Sequence, residues 1–296
     1  GLGDVYKRQP PGPCQHIVSL LFDVLGAEGL CRPAMHYRFN FDEEQYDFIL
    51  YHFTSQMNGD EEHAKKVIAH VSTNVAPQWG VRPSTHAITE KLYEGFVEKF
   101  NAHLTLYPYL LGGKPCLGDF GLMCPLYGHL GRDPVPHRLL QMRGPWVHRW
   151  VERMNRPEPD TGEYINLPHS FLQDDEVPET IIELLTHFAL DFVPETIASH
   201  SGINRWLEEN KPAIGAQCER YTGEAEFNVE GTAIHVCPQP FRFYLLERVQ
   251  SAIQALKGSD QADALALLDT CNMTAVLDLK LDRKIGRANN LEVWLD

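Results

Sequence analysis

Asp119-Phe120-Gly121 is the point in this chain where residue types and spacing first suggest chemistry. An aspartate ahead of Phe-Gly can hold magnesium for phosphoryl transfer. That chemistry needs separated parts: a Gly-rich loop over the phosphates, a strand lysine, and an His-Arg-Asp loop that supplies the base and a metal-binding Asn. The upstream stretch "EKFNAHLTLYPYLLGGKPCLG" has no His-Arg-Asp, and no Gly-x-Gly-x-x-Gly follows an expected strand. Three letters without their partners are a chance match, and phosphoryl transfer is excluded.

The same residues make better sense as a helix start. With Cys116 at the cap, Asp119 stands three residues on, where its carboxylate can reach back to the Cys116 N–H. Phe120 falls where it can pack on the group before the cap, Pro115, as a hydrophobic staple. Phe120, Leu122, Met123, Leu126 and Tyr127 then supply an apolar helix. A thiol is a weak acceptor at a cap. The alternative is that Cys116 is a reactive thiol activated at a helix N-terminus. The fourteen histidines invite a search for metal ligands. His129 and His137 in "HLGRDPVPH" lack the i, i+4 spacing and a third ligand, so no metal is expected.

The elements around these residues read as mainly helical. "QHIVSLLFDVLG" puts Ile17, Leu20, Leu21, Val24 and Leu25 on one stripe, and "DEEQYDFILYHFTSQM" puts Tyr46, Ile49, Leu50 and Phe53 on another. "DEEHAKKVIAHV" repeats the acidic helix start. In "STHAITEKLYEGFVEKFNAHL" Ser84 or Thr85 can cap a helix carrying Ile88, Leu92, Phe96 and Phe100. Helices are expected at 116–127 and 145–154. Between 158 and 177 the period stops in a stretch rich in proline and acid, a linker or surface-hugging extension. Beyond it two "VPET" starts, sixteen residues apart, read as two helices. Phe227, Val229, Ile234 and Val236 alternate around Glu230-Gly231 as a hairpin, and two more helices follow.

Composition narrows the partners. The formal charge of -14 without a basic stripe argues against nucleic acid and anionic membrane surfaces. No apolar run reaches the roughly 20 residues needed to span a bilayer. Seven scattered cysteines with no Cys-x-x-Cys fit free thiols in a reducing, cytoplasmic compartment. The opening "DVYKRQ" looks like a translated sequencing adapter, so residues 1–9 are set aside and the chain is expected to be a fragment.

"YPYLLGGKPCLGDFGLMCPLYGHLGRDP" followed by "PWVHRWVERMN" resembles the all-helical C-terminal domain of glutathione S-transferases, whose central helix starts with a buried Ser/Thr-x-x-Asp capping box and staple. "CRPAMHYRFNFDEEQ" resembles the opening of the same domain. The likeness covers residues 10–157, with a mostly helical extension containing a hairpin at 178–296. Cys116 departs from the family's Ser or Thr. The resemblance implies glutathione as co-substrate, a hydrophobic electrophile as second substrate, a detoxifying transferase, and a homodimer. It implies that the glutathione site lies on a thioredoxin-like domain with no counterpart here, so no catalytic residue carries over. It places the electrophile wall at Met35, His36, Tyr37 and Arg38, with Tyr127 and Arg132 behind them. Plainer roles stand beside these: Met35 and Tyr37 as core, His36 as a satisfied polar group, Arg38 paired with Asp42 or Asp119. A non-catalytic interaction module of the same fold is the alternative function.

Overall fold

The computed structural model describes residues 9–296. The adapter reading of residues 1–9 lies outside that range except for Gln9. The chain is mainly α, 64% helix with two small antiparallel sheets.

Helix α1 (Pro13–Val24) starts with proline in its first turn and buries the expected stripe. Its free N-terminal amides are met from far along the chain. Asp175 Oδ2 accepts the Cys14 N–H at 2.8 Å and Oδ1 accepts the Gln15 N–H at 2.9 Å. The Gln15 amide in turn donates to the Leu172 and Glu176 carbonyls. The stretch around 158–177 is therefore a strap that caps α1, because a buried helix start must find acceptors somewhere. A π-helical turn, Leu25–Gly29, carries α1 into α2 (Cys31–Phe39). The run Pro13–Phe39 is long and apolar enough to cross a membrane by length and composition, which corrects the expectation of no such run. Its most apolar window is 67% buried inside the fold.

Helices α3 (Asp42–Gln56) and α4 (Glu61–His70) form a side lobe. Of the α3 stripe only Ile49 is fully buried. Tyr46, Leu50 and Phe53 are half-buried in a satellite cluster with Phe39 and Ile68. Helix α5 (His86–Leu104) is not capped by Ser84 or Thr85. The Thr85 hydroxyl turns back instead, accepting the Arg82 N–H at 3.0 Å and donating to the Gly80 carbonyl at 2.6 Å.

Helix α6 (Leu117–Pro125) lies against α1 with backbones almost touching. A Cβ on Gly121 would sit 2.6 Å from Asp23 Cα, and one on Gly26 would sit 2.3 Å from the Gly121 carbonyl carbon. Another π turn, Leu126–Leu130, leads to α7 (Pro134–Arg143) and α8 (Pro145–Met154).

The two expected "VPET" helices are one. Helix α9 runs unbroken over Glu179–Asn210 with Pro194 inside it. Proline removes one helical hydrogen bond and crowds a carbonyl, but Phe188, Phe192, Ile203 and Leu207 are buried on both sides of it, and that packing keeps the rod continuous. The expected hairpin pairs β1 (Ala225–Val229) with β2 (Thr232–Val236), Phe227 opposite Ile234. Its turn puts Glu230 at φ 49° and Gly231 at φ 86°, the left-handed pair that a tight hairpin requires. Helices α10 (Pro240–Ala255) and α11 (Gly258–Thr270) follow. A further hairpin, β3 (Ile285–Ala288) with β4 (Leu291–Trp294), turns on Asn289-Asn290, again both left-handed. One buried apolar cluster runs from Ile17 to Trp294 and draws on α1, α5, α6, α8, α9, α10 and α11 alike.

Candidate functional site

The capping box at Cys116 forms as the spacing requires. Asp119 is fully buried, and its carboxylate accepts the Cys116 N–H at 2.9 Å, the Leu110 N–H at 3.2 Å and the Trp150 Nε1–H at 3.3 Å. One side chain thereby ties the helix start, the preceding loop and α8 together. Burial pushes the Asp119 carboxyl up to about 6 against the pull of those donors. Phe120 and Pro115 both line one cleft. Cys116 is sealed from solvent, and burial holds its thiol well above the usual range. An activated thiol needs the opposite, so the reactive alternative is corrected: Cys116 is a cap.

The residues expected on the electrophile wall separate into two groups. His36 and Tyr37 turn inward. His36 Nε2 meets Glu90 Oε1 at 2.8 Å and its ring packs 4.4 Å from that of His86, while burial lowers its pKa. Tyr37 stacks on Phe41 at 5.4 Å and leans on Tyr93 at 5.1 Å. Met35 packs at the edge of the α3–α4 cluster. Arg38 pairs with neither Asp42 nor Asp119. Its Nε and Nη2 reach the two oxygens of Asp133, each at 2.7 Å, and Nη2 also donates to the Gly128 carbonyl at 2.9 Å. The reason is position: α2 lies against the Leu126–Leu130 π turn, which carries Asp133 just beyond it.

Tyr127 and Arg132, by contrast, share an open cleft of about 480 Å³ with Phe48, His52, His137 and His148. Arg132 Nη2 lies 3.1 Å from His52 Nδ1, which therefore serves as acceptor. Tyr127 is 45% exposed, so its ring and hydroxyl are available at the mouth. A larger groove of about 1000 Å³ between α9 and the β1–β2 hairpin contains none of the expected residues. Among the described residues no group of three or more His, Cys, Asp or Glu converges to hold a metal ion.

A buried charge network escaped the sequence reading. Arg32 Nη1 binds Asp191 at 2.8 Å, and its Nη2 donates to Glu195. Arg242 Nη2 binds the other Glu195 oxygen at 2.9 Å, and Arg242 Nε lies 3.7 Å from Glu28. These groups join the first π turn, α2, α9 and α10. Glu28 is pushed up to about 7 by burial, ahead of the opposing pull of Arg242. The signal available in the sequence was Asp191 and Glu195, four apart on a helix whose apolar residues flank them on the same face.

Comparison with known families, curated proteins and solved structures finds no match for the chain.

Proposed function

We propose that this chain carries the electrophile-facing helical domain of a glutathione-transferase-like protein. The observation that carries the reading is Asp119: a buried carboxylate reaching back 2.9 Å to the Cys116 N–H at the start of an apolar central helix. The resemblance places that device there. In this reading glutathione binds on a thioredoxin-like domain, which is distinct from the two two-stranded antiparallel sheets of the described residues. That domain holds the tripeptide thiol as thiolate, the nucleophile, in a cytoplasmic homodimer. The cleft with Tyr127 and Arg132 is the part of the wall still open to a hydrophobic electrophile, because Tyr37 and Arg38 are committed to the fold's own contacts.

That commitment also gives the second reading its footing. A non-catalytic interaction module of the same fold needs no electrophile wall, and three of the four α2 candidates are engaged internally. The two readings part on one experiment. The chain is joined to a glutathione-binding thioredoxin-like domain, and glutathione conjugation of a chlorinated nitroarene is measured. The transferase reading expects conjugation above the solution rate, with Tyr127→Ala and Arg132→Ala raising KM for the nitroarene more than for glutathione. The 296 residues alone should show no saturable glutathione binding at millimolar concentration. A joined protein that binds no glutathione would favour the interaction module, and saturable glutathione binding by the chain alone would sink both.

A further inference from the structure

The extension at 178–296 has a cavity that the transferase reading does not use. It measures about 290 Å³ and lies between α10 and the segment that runs into β3. Ligand pockets span about 300–1,000 Å³, so a compact small molecule fits this one. Phe243, Glu247 and Gln250 stand four and three residues apart on α10 and so line the cavity from one helix face. The other wall carries Lys280, Arg283 and Lys284. That is a concentration of cations in a chain whose formal charge is -14. Asp282 stands among them in sequence but does not line the cavity.

The cationic wall is held by its backbone, which leaves its charged side chains uncommitted. The Leu279 carbonyl accepts the Gln250 amide at 3.2 Å, and the Lys280 carbonyl lies 2.8 Å from His200 Nε2. Asn204 Oδ1 accepts the Asp282 N–H at 3.0 Å, and the Lys284 carbonyl accepts the Leu295 N–H at 2.8 Å. Among the described residues no carboxylate forms an ion pair with Lys280, Arg283 or Lys284, and Glu247 across the cavity pairs with none of them. Arg283 Nη1 is buried without an acceptor. A donor of this kind is costly to leave unpaired, more so on a charged group.

Three cations facing one carboxylate leave a surplus of two positive charges. A carboxylate ligand brings one negative charge and two oxygens. A phosphomonoester brings nearly two charges at neutral pH and three strong acceptor oxygens. A guanidinium matches two such oxygens in its plane, and ammonium groups add point charges. Glu247 repels the phosphate and so suits the other end of the ligand, where a hydroxyl can donate to its carboxylate. We propose that this cavity binds a small hydroxylated phosphomonoester, with the phosphate against Lys280, Arg283 and Lys284 and a hydroxyl on Glu247. None of these residues lies in 10–157, so the site stands apart from the transferase reading.

Titration of the isotope-labelled 296-residue chain with glycerol 3-phosphate, at fixed ionic strength, tests the site through its amide shifts. Saturation is expected at one ligand per chain, with shifts at Ser251 and Leu281 in the cavity wall and none in α4. Arg283→Gln, and Lys280→Gln with Lys284→Gln, should each weaken binding about tenfold or more, as loss of a charged hydrogen bond does. Lys66→Gln, an exposed cation on α4, should leave it unchanged. Glu247→Ala reads the two ends separately: inorganic phosphate should bind more tightly, while the preference for glycerol 3-phosphate over inorganic phosphate falls. Spectral dispersion checks that the variants fold. No saturation at millimolar ligand, unchanged affinity in Arg283→Gln, or shifts that spread to α4 would overturn the site. Inorganic phosphate binding the wild type as tightly as glycerol 3-phosphate would overturn the ester.

Discussion

Arg242 Nε and Glu28 Oε2 lie 3.7 Å apart with side chains only 4% and 3% exposed, close enough to attract and too far to share a hydrogen bond. Glu28 Oε2 has no hydrogen-bond partner at all. Burial therefore dominates, and the Glu28 carboxyl rises from 4.5 to about 7. Below 4.5 it is protonated in both folded and unfolded chains. Between 4.5 and about 7 the unfolded chain ionises first, so stability is lost as pH rises through this window. Glu28→Gln should match the wild type near the acid end and exceed it by about 3 kcal/mol above the window. Asp119 moves in the same direction in both proteins and cancels in the difference. Urea midpoints for the two proteins, taken across the window, check this. Equal midpoints at alkaline pH would mean that Glu28 is ionised and well compensated.

Asp119 serves three donors at once, so truncating it strands all three. Asp119→Ala should cost about 3 kcal/mol, with the Cys116, Leu110 and Trp150 N–H groups left buried and unpaired. Cys116→Ser should be neutral or stabilising, because a hydroxyl is the better acceptor at a cap. Chemical denaturation of the three proteins decides it. An alanine variant with an unchanged midpoint would remove Asp119 as the organiser of this region.

What the sequence reveals about this fold follows from the range of the forces involved. Helix α8 was legible to the residue because Pro145 and the apolar spacing of Val147, Trp150 and Val151 are local signals. The first hairpin was legible because Glu230-Gly231 suits a tight turn, whereas Asn289-Asn290 carries a similar signal and was passed over. Pro194 misled, since proline's local penalty says nothing of the apolar residues that hold α9 straight through it. The capping box was legible for the same local reason, its two partners being three residues apart. The Asp175 cap on α1 and the pairing of Arg38 with Asp133 were not, because each joins residues far apart in the chain, and no spacing rule connects them. The cleft shared by Tyr127 and Arg132 was half legible: both residues were named, but the imidazoles opposite them come from α3, α7 and α8.

The glycine of Asp-Phe-Gly has a steric task that replaces the chemistry it suggests. Gly121 lets α6 approach α1 until a Cβ would lie 2.6 Å from Asp23 Cα, closer than packed atoms allow. Gly121→Ala should therefore cost about 2–3 kcal/mol as the two helices are forced apart. The half-buried Gly128, whose Cβ would meet nothing within 4 Å, provides the control, and Gly128→Ala should leave stability nearly unchanged. Thermal melts of both variants are sufficient. Similar midpoints for the two would show that α1 and α6 have room to spare.

Arg38 allows the structural role to be separated from the substrate role that the resemblance implies. Asp133 is 1% exposed and its carboxylate is held by both arms of the Arg38 guanidinium. Removing one partner of such a pair leaves a buried charge uncompensated, so Arg38→Ala should cost about 3 kcal/mol. Arg38→Lys recovers only part of this, because an ammonium cannot bind both carboxylate oxygens in the guanidinium's planar geometry. The double variant Arg38→Met, Asp133→Leu should be closer to wild type than Arg38→Ala, since neither charge then remains. A substrate-binding Arg38 predicts another pattern: little change in stability for any of the three, with the effect confined to electrophile affinity in the joined protein. Urea denaturation of the three variants distinguishes the two. A midpoint for Arg38→Ala equal to wild type would return Arg38 to the electrophile wall.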